Sequence, residues 1–124
     1  MKNGETNIKL EQQMRHELGT WQRTLNYILQ ENIYLKNRLA ELIKEGMEND
    51  LLEQVEYFQN QFLNKDAVIA LLRQDIVHEQ QLNGDLMLPS NTAKHDKLRR
   101  DMELMEKEFS RLKFDFNNYL SKSL

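Results

Sequence analysis

The chain of 124 residues is 30% charged and 40% hydrophobic, a balance that suits amphipathic helices with solvated outer faces. One proline and four glycines leave little material for the turns of an all-β fold. The absence of cysteine removes disulfide scaffolds, thiol nucleophiles and thiolate metal sites, and a net charge of −3 argues against a protein built mainly to grip nucleic acid.

The first predicted helix covers about residues 5–45. Met14, Leu18, Trp21, Leu25, Ile28, Asn32, Leu35, Leu39 and Leu42 recur at alternating steps of four and three. That spacing is a heptad seam, the pattern of helices packed side by side at small angles. Gly46 suits the end of this helix, where a left-handed residue is needed. Asp50 with Glu53 three residues later reads as a capping box that opens the second helix, over about 50–82. Its seam is Leu51, Val55, Phe58, Phe62, Lys65, Ile69, Leu72, Ile76 and Glu79. Asn83-Gly84 then stops the helix, Pro89 breaks the chain, and Ser90 or Asn91 is expected to cap a third helix over about 91–121. That helix carries Leu98, Met102, Met105, Phe109, Leu112, Phe116 and Tyr119, with His95 one turn before them.

Both connections are short, so neighbouring helices should run antiparallel. The predicted fold is an all-α, single-domain, elongated three-helix bundle of up-down-up topology with coiled-coil-like packing. Residues 1–46 carry a net charge of +1, residues 47–88 of −6 and residues 89–124 of +2. An acidic middle helix flanked by slightly basic neighbours fits complementary packing of the three.

The seams do not use all the apolar residues. Tyr27, Ile33 and Tyr34 lie off the first seam, and Leu29 and Ile43 flank it on the side expected to face the third helix. On the second helix Leu63, Ala67, Ala70, Leu71 and Val77 form another stripe, and the run Ala67–Leu72 is apolar on nearly all sides, as in a helix buried all round. Surplus apolar stripes mark interfaces, and two-fold dimers are the commonest oligomers. Tyr27, Ile33, Tyr34, Leu63, Ala70 and Val77 are therefore the candidate interface residues of a homo-oligomer, with a dimer favoured. Asn32, the single Asn on a seam, is the candidate that fixes register. Lys65 and Glu79 either snorkel at the bundle edge or pair across a subunit boundary.

No catalytic residue, metal site or cofactor is indicated. His16, His78 and His95 share no metal-binding spacing, Asp75 with His78 is a lone i, i+3 pair, and no phosphate-binding glycine loop is present. His95 reads as a packed or capping histidine at a bundle end. The string His16-Glu17-Leu18-Gly19-Thr20-Trp21 resembles the phospho-accepting box of two-component histidine kinases, typically HELRTP. Gly19 stands where that family has a basic residue and Trp21 where it has proline. The resemblance covers six residues and implies a long helical hairpin with an exposed phospho-accepting histidine, here His16. No ATP-binding domain follows, so it implies a histidine phosphotransfer protein rather than a kinase.

Lys94, Lys97, Arg99 and Arg100 cluster early in the third helix, but they alternate with Asp96 and Asp101, and nucleic acid is not the expected partner. No apolar run approaches the roughly 20 residues of a membrane span. The first residues lack the apolar core of a signal peptide, so a cytoplasmic location is expected. The resulting expectation is a non-enzymatic helical bundle that acts by protein–protein interaction or self-association, as an adaptor, regulatory accessory or structural module.

Overall fold

The computed structural model describes residues 2–46, 52–82 and 84–123. It is a bundle of three helices: α1 (Lys2–Lys44), α2 (Leu52–Gln80) and α3 (Pro89–Ser123), with a short 3₁₀ turn (Gly84–Met87) between the last two. At about 1.5 Å per residue α1 is roughly 65 Å long. Side-chain pairs fix the topology. Gln22 meets Gln80 and Lys36 meets Asp66, so α2 descends beside α1. Glu79 meets His95 and Lys65 meets Glu108, so α3 climbs back along α2. Glu17 with Arg99 and Glu31 with Lys113 then place α3 parallel to α1.

The four-three spacing accounts for the core. Every described position of the α2 and α3 seams is buried, and so is every α1 seam position except Trp21, which is half-buried. Each large apolar side chain among them contributes roughly 1.5–3 kcal/mol by leaving water. Near the end where α1 finishes, Phe58, Phe62, Phe116 and Tyr119 form an aromatic cluster. Phe116 lies 5.1 Å from both Phe58 and Phe62, edge to face, and Tyr119 is 5.2 Å from Phe58.

The ends of the helices have separate causes. α1 stops at Gly46, whose φ of 78° is the left-handed conformation expected of it, with its N–H donating to the Ile43 carbonyl. Asp50 lies outside the described residues, as do Leu51 and Asn83. At the far end of α2 the carbonyls of Gln80 and Leu82 accept hydrogen bonds from the Arg15 guanidinium of α1, so a neighbouring helix caps this terminus. α3 starts two residues earlier than the expected 91. Pro89 begins it instead of breaking the chain, because the first helical position needs no N–H and favours the φ that the ring imposes. Ser90 and Asn91 lie inside the helix and do not cap it; the Leu88 carbonyl accepts from the N–H groups of Asn91 and Thr92.

Two packing expectations are corrected. The run Ala67–Leu72 is not buried all round: Ile69 and Leu72 are buried, but Leu71 is 61% exposed and Ala67 and Ala70 are also exposed. Three helices cannot enclose one of their own number, so one side of α2 stays in water. Ile43 does not face α3; it lines the α1–α2 groove with Ala40 and Leu63. The contrast between adjacent positions gives a direct test. Leu72→Ala is expected to lower stability by about 2–5 kcal/mol, and Leu71→Ala to change it by no more than about 0.5 kcal/mol. Urea unfolding followed by circular dichroism measures both.

Candidate functional site

Two regions carry more than packing: the outer face shared by α1 and α2, and a buried polar cluster near the start of α3.

On the outer face Leu63 lies in the α1–α2 groove beside Lys36, Leu39, Ala40, Ile43 and Gln59. Ala70 and Val77 follow it at seven-residue intervals, and so continue the same line along α2. Ile33 lies two turns before Ala40 on the corresponding line of α1. Leu63 is 54% exposed, Val77 41% and Ile33 38%, so none of them is core. Tyr27 and Tyr34 belong elsewhere. Tyr27 lines the α1–α3 groove with Ile28, Phe109 and Lys113, and Tyr34 is seven residues further along that side. Of the six candidate interface residues, four thus share one face and two lie round the edge of α1.

Asn32 is fully buried between α1 and α2 of the same chain. Its Nδ2 donates to the Phe62 carbonyl at 3.1 Å and to Asp66 Oδ1 at 2.8 Å, while Lys36 holds the other Asp66 oxygen. Its Oδ1 is buried with no partner. Asn32 therefore fixes α1 against α2 within the chain. The other polar seam residues are also satisfied internally. Lys65 Nζ meets Glu108 at 2.8 Å, and Glu79 meets His95.

The polar cluster joins all three helices. His95 of α3 is 1% exposed. Its Nδ1 is 2.7 Å from Glu79 Oε2 of α2, and its Nε2 is 3.2 Å from Glu17 Oε1 of α1. Arg99, one turn on, grips both Glu17 oxygens at 2.8 and 2.9 Å and also reaches Asp96. Trp21 closes the cluster, with its ring 4.8 Å from the imidazole and the Arg99 guanidinium 6.0 Å from its centre. Two carboxylates on two ring nitrogens are both satisfied only when both nitrogens donate, that is, by the imidazolium form. Burial alone would lower the pKa of His95, but the hydrogen bonds to Glu79 and Glu17 outweigh it and the pKa is raised. The hydrogen bond from Arg99, helped by His95, holds Glu17 below the usual carboxylate value in spite of burial. The sequence marks Glu79 and His95 as polar seam positions, whereas Glu17 and Arg99, which lie beside their seams, stand out there only in the His16 string and the basic cluster, with nothing to bring them together.

His16 is exposed, while Leu18 two residues later is fully buried. Within the basic cluster, Lys97 pairs with Asp101 and Arg99 with Glu17 and Asp96, so much of its charge is neutralised locally. Among the described residues no group of three or more His, Asp or Glu side chains is placed to hold a metal ion, and no helix is long and apolar enough to cross a membrane. Comparison with protein-family models, with curated proteins and with solved structures finds no significant match to this chain.

The lowered pKa of Glu17 has a defined sign. A carboxylate depressed on folding adds stability above its unfolded value of about 4.5, and loses it as pH falls through the folded value. Stability is expected to drop on acidification below pH 4.5, with a shallower drop in Glu17→Gln. Urea midpoints collected across the acid range measure the slope.

Proposed function

We propose that this protein is a non-enzymatic interaction module whose α1–α2 face packs against a second copy of itself. The observation that carries this reading is the line of exposed Leu63, Ala70 and Val77 on α2 beside Ile33, Ala40 and Ile43 on α1, crossed by the Lys36–Asp66 ion pair. Exposed apolar side chains grouped on one face among charged neighbours mark an interface. Charge favours a second copy as the occupant. Residues 1–46 are slightly basic and residues 47–88 carry −6, so a two-fold axis that lays α1 of one copy on α2 of the other sets unlike charges together.

Static light scattering over a range of concentrations tests the reading. The expected mass is twice the 14.9 kDa of the chain. Leu63→Glu combined with Ile33→Glu is expected to return a folded species of single-chain mass, since both positions are exposed within one copy. A wild-type chain that stays at single mass at every concentration overturns the proposal.

A second reading rests on the exposure of His16 in its His-Glu-Leu string: transfer of a phosphoryl group through the imidazole. It ranks behind the first because Glu17, the acidic member of the string, is occupied by Arg99 and His95. Acid-labile label from a small phosphodonor, present on the wild type and absent from His16→Gln, would establish it. An unlabelled wild type would remove it.

A further inference from the structure

The buried cluster around His95 does more than fill space. It is where α1, α2 and α3 are tied to one another by charge, each contributing at least one ionisable group: Glu17, Glu79, and His95 with Arg99. With His95 charged, two cations face two carboxylates, and Asp96 at the surface takes a further guanidinium nitrogen. Remove one proton from the imidazole and the balance fails. The neutral ring donates from one nitrogen only, so the other presents a lone pair to a carboxylate. Glu79 is 4% exposed and has little water to turn to. An unpaired buried charge of that kind is costly enough to open local structure.

We propose that the proton on His95 is a latch: while it is held, this end of the bundle is closed, and its release lets the end open. The groups around the ring support a switch at this one site. From α1 it meets Glu17 and the neutral Trp21, and from α2 Glu79; on its own helix Arg99 is linked to it through Glu17, and Asp96 only through Arg99. Asp75, His78, Lys94, Lys97 and Asp101 line the groove outside Glu79, and Asp85 in the 3₁₀ turn is exposed. The sign follows from the direction of the shift. A histidine whose pKa is raised on folding adds stability that is full below its unfolded value of about 6.5, and loses it as pH climbs through the folded value. The latch is therefore closed on the acid side of about pH 6.5 and released as pH rises through the higher folded value. Opening would uncover Leu18, Leu86 and Leu98, which are buried at this end. The device works within one chain and does not depend on whether the α1–α2 face is occupied.

The protein carries its own reporter, since Trp21 is its single tryptophan and lies against the ring in question at a tilt of 35°. An imidazolium against indole quenches emission, so loss of the proton raises it. Trp21 emission and amide hydrogen exchange of the full chain are followed between about pH 5.5 and 9.5, a window that brackets the histidine range and stays below tyrosine and lysine. We expect a single rise in emission. After correction for intrinsic rates, exchange should accelerate several-fold in residues 89–105 and 14–25 and stay unchanged in 109–119. Glu79→Gln is expected to move the midpoint to lower pH, and His95→Gln to abolish the transition. A flat wild-type profile overturns the proposal, because a proton that never leaves is a fixed pin. It is equally overturned by a transition that survives in His95→Gln, or by exchange that accelerates at both ends alike. Should His95→Gln fail to fold, an unchanged midpoint in Glu79→Gln overturns it as well.

Discussion

The register of α3 on α2 governs the rest of this molecule. The short connection through the 3₁₀ turn sets Met87 as its centre. Glu79 and His95 each lie eight residues from that point, and Phe58 and Phe116 each lie twenty-nine. Both pairs meet in the structure, one as an ion pair and the other ring to ring. Lys65 and Glu108 fall on the same count to within one residue. A slip of one residue turns α3 by about 100° and carries His95 and Phe116 off their partners, so a connection of a few residues decides which charges and which rings meet along α2. Pro89 contributes by starting α3 as soon as the turn ends, which leaves little slack.

Seam positions are legible in the chain because burial in a bundle follows the helical repeat alone; even Asn32, Lys65, Glu79 and His95 stand out as buried-side positions by count. Pairings across the α2–α3 hairpin follow from the same count once its centre is known. Glu17 and Arg99 do not. They flank their seams on helices joined only through α2, so nothing local fixes their separation. The side facing away is equally hard to read. Period distinguishes core from non-core, but whether Leu71 is covered depends on how many helices are present to cover it. Three leave it 61% exposed. The start of α3 is ambiguous in sequence because proline has two meanings: it ends a helix from within and begins one at its first turn.

The distribution of polar and apolar groups runs against the usual habit of small bundles. Among the described residues four polar ones occupy the core and are satisfied there, save for one oxygen of Asn32, while Leu63, Ile43 and Val77 stand outside. Internal polar pairing makes the three-helix unit complete in itself and sets its register. The apolar exterior then offers a surface whose use leaves the interior undisturbed. That separation underlies the proposal of a self-associating module: the contacts that define the fold and those available for association draw on different residues.

The two ends of the bundle are built from different forces. One closes on the rings of Phe58, Phe62, Phe116 and Tyr119, the other on His95, two glutamates and an arginine. Burial of rings weakens as water is cooled, whereas a charge cluster this buried is little screened by salt and answers to the gain or loss of protons. Cold and alkali therefore act on opposite ends of the same rod. The molecule has a polarity of cohesion along its axis, and solvent conditions select the end from which it comes apart.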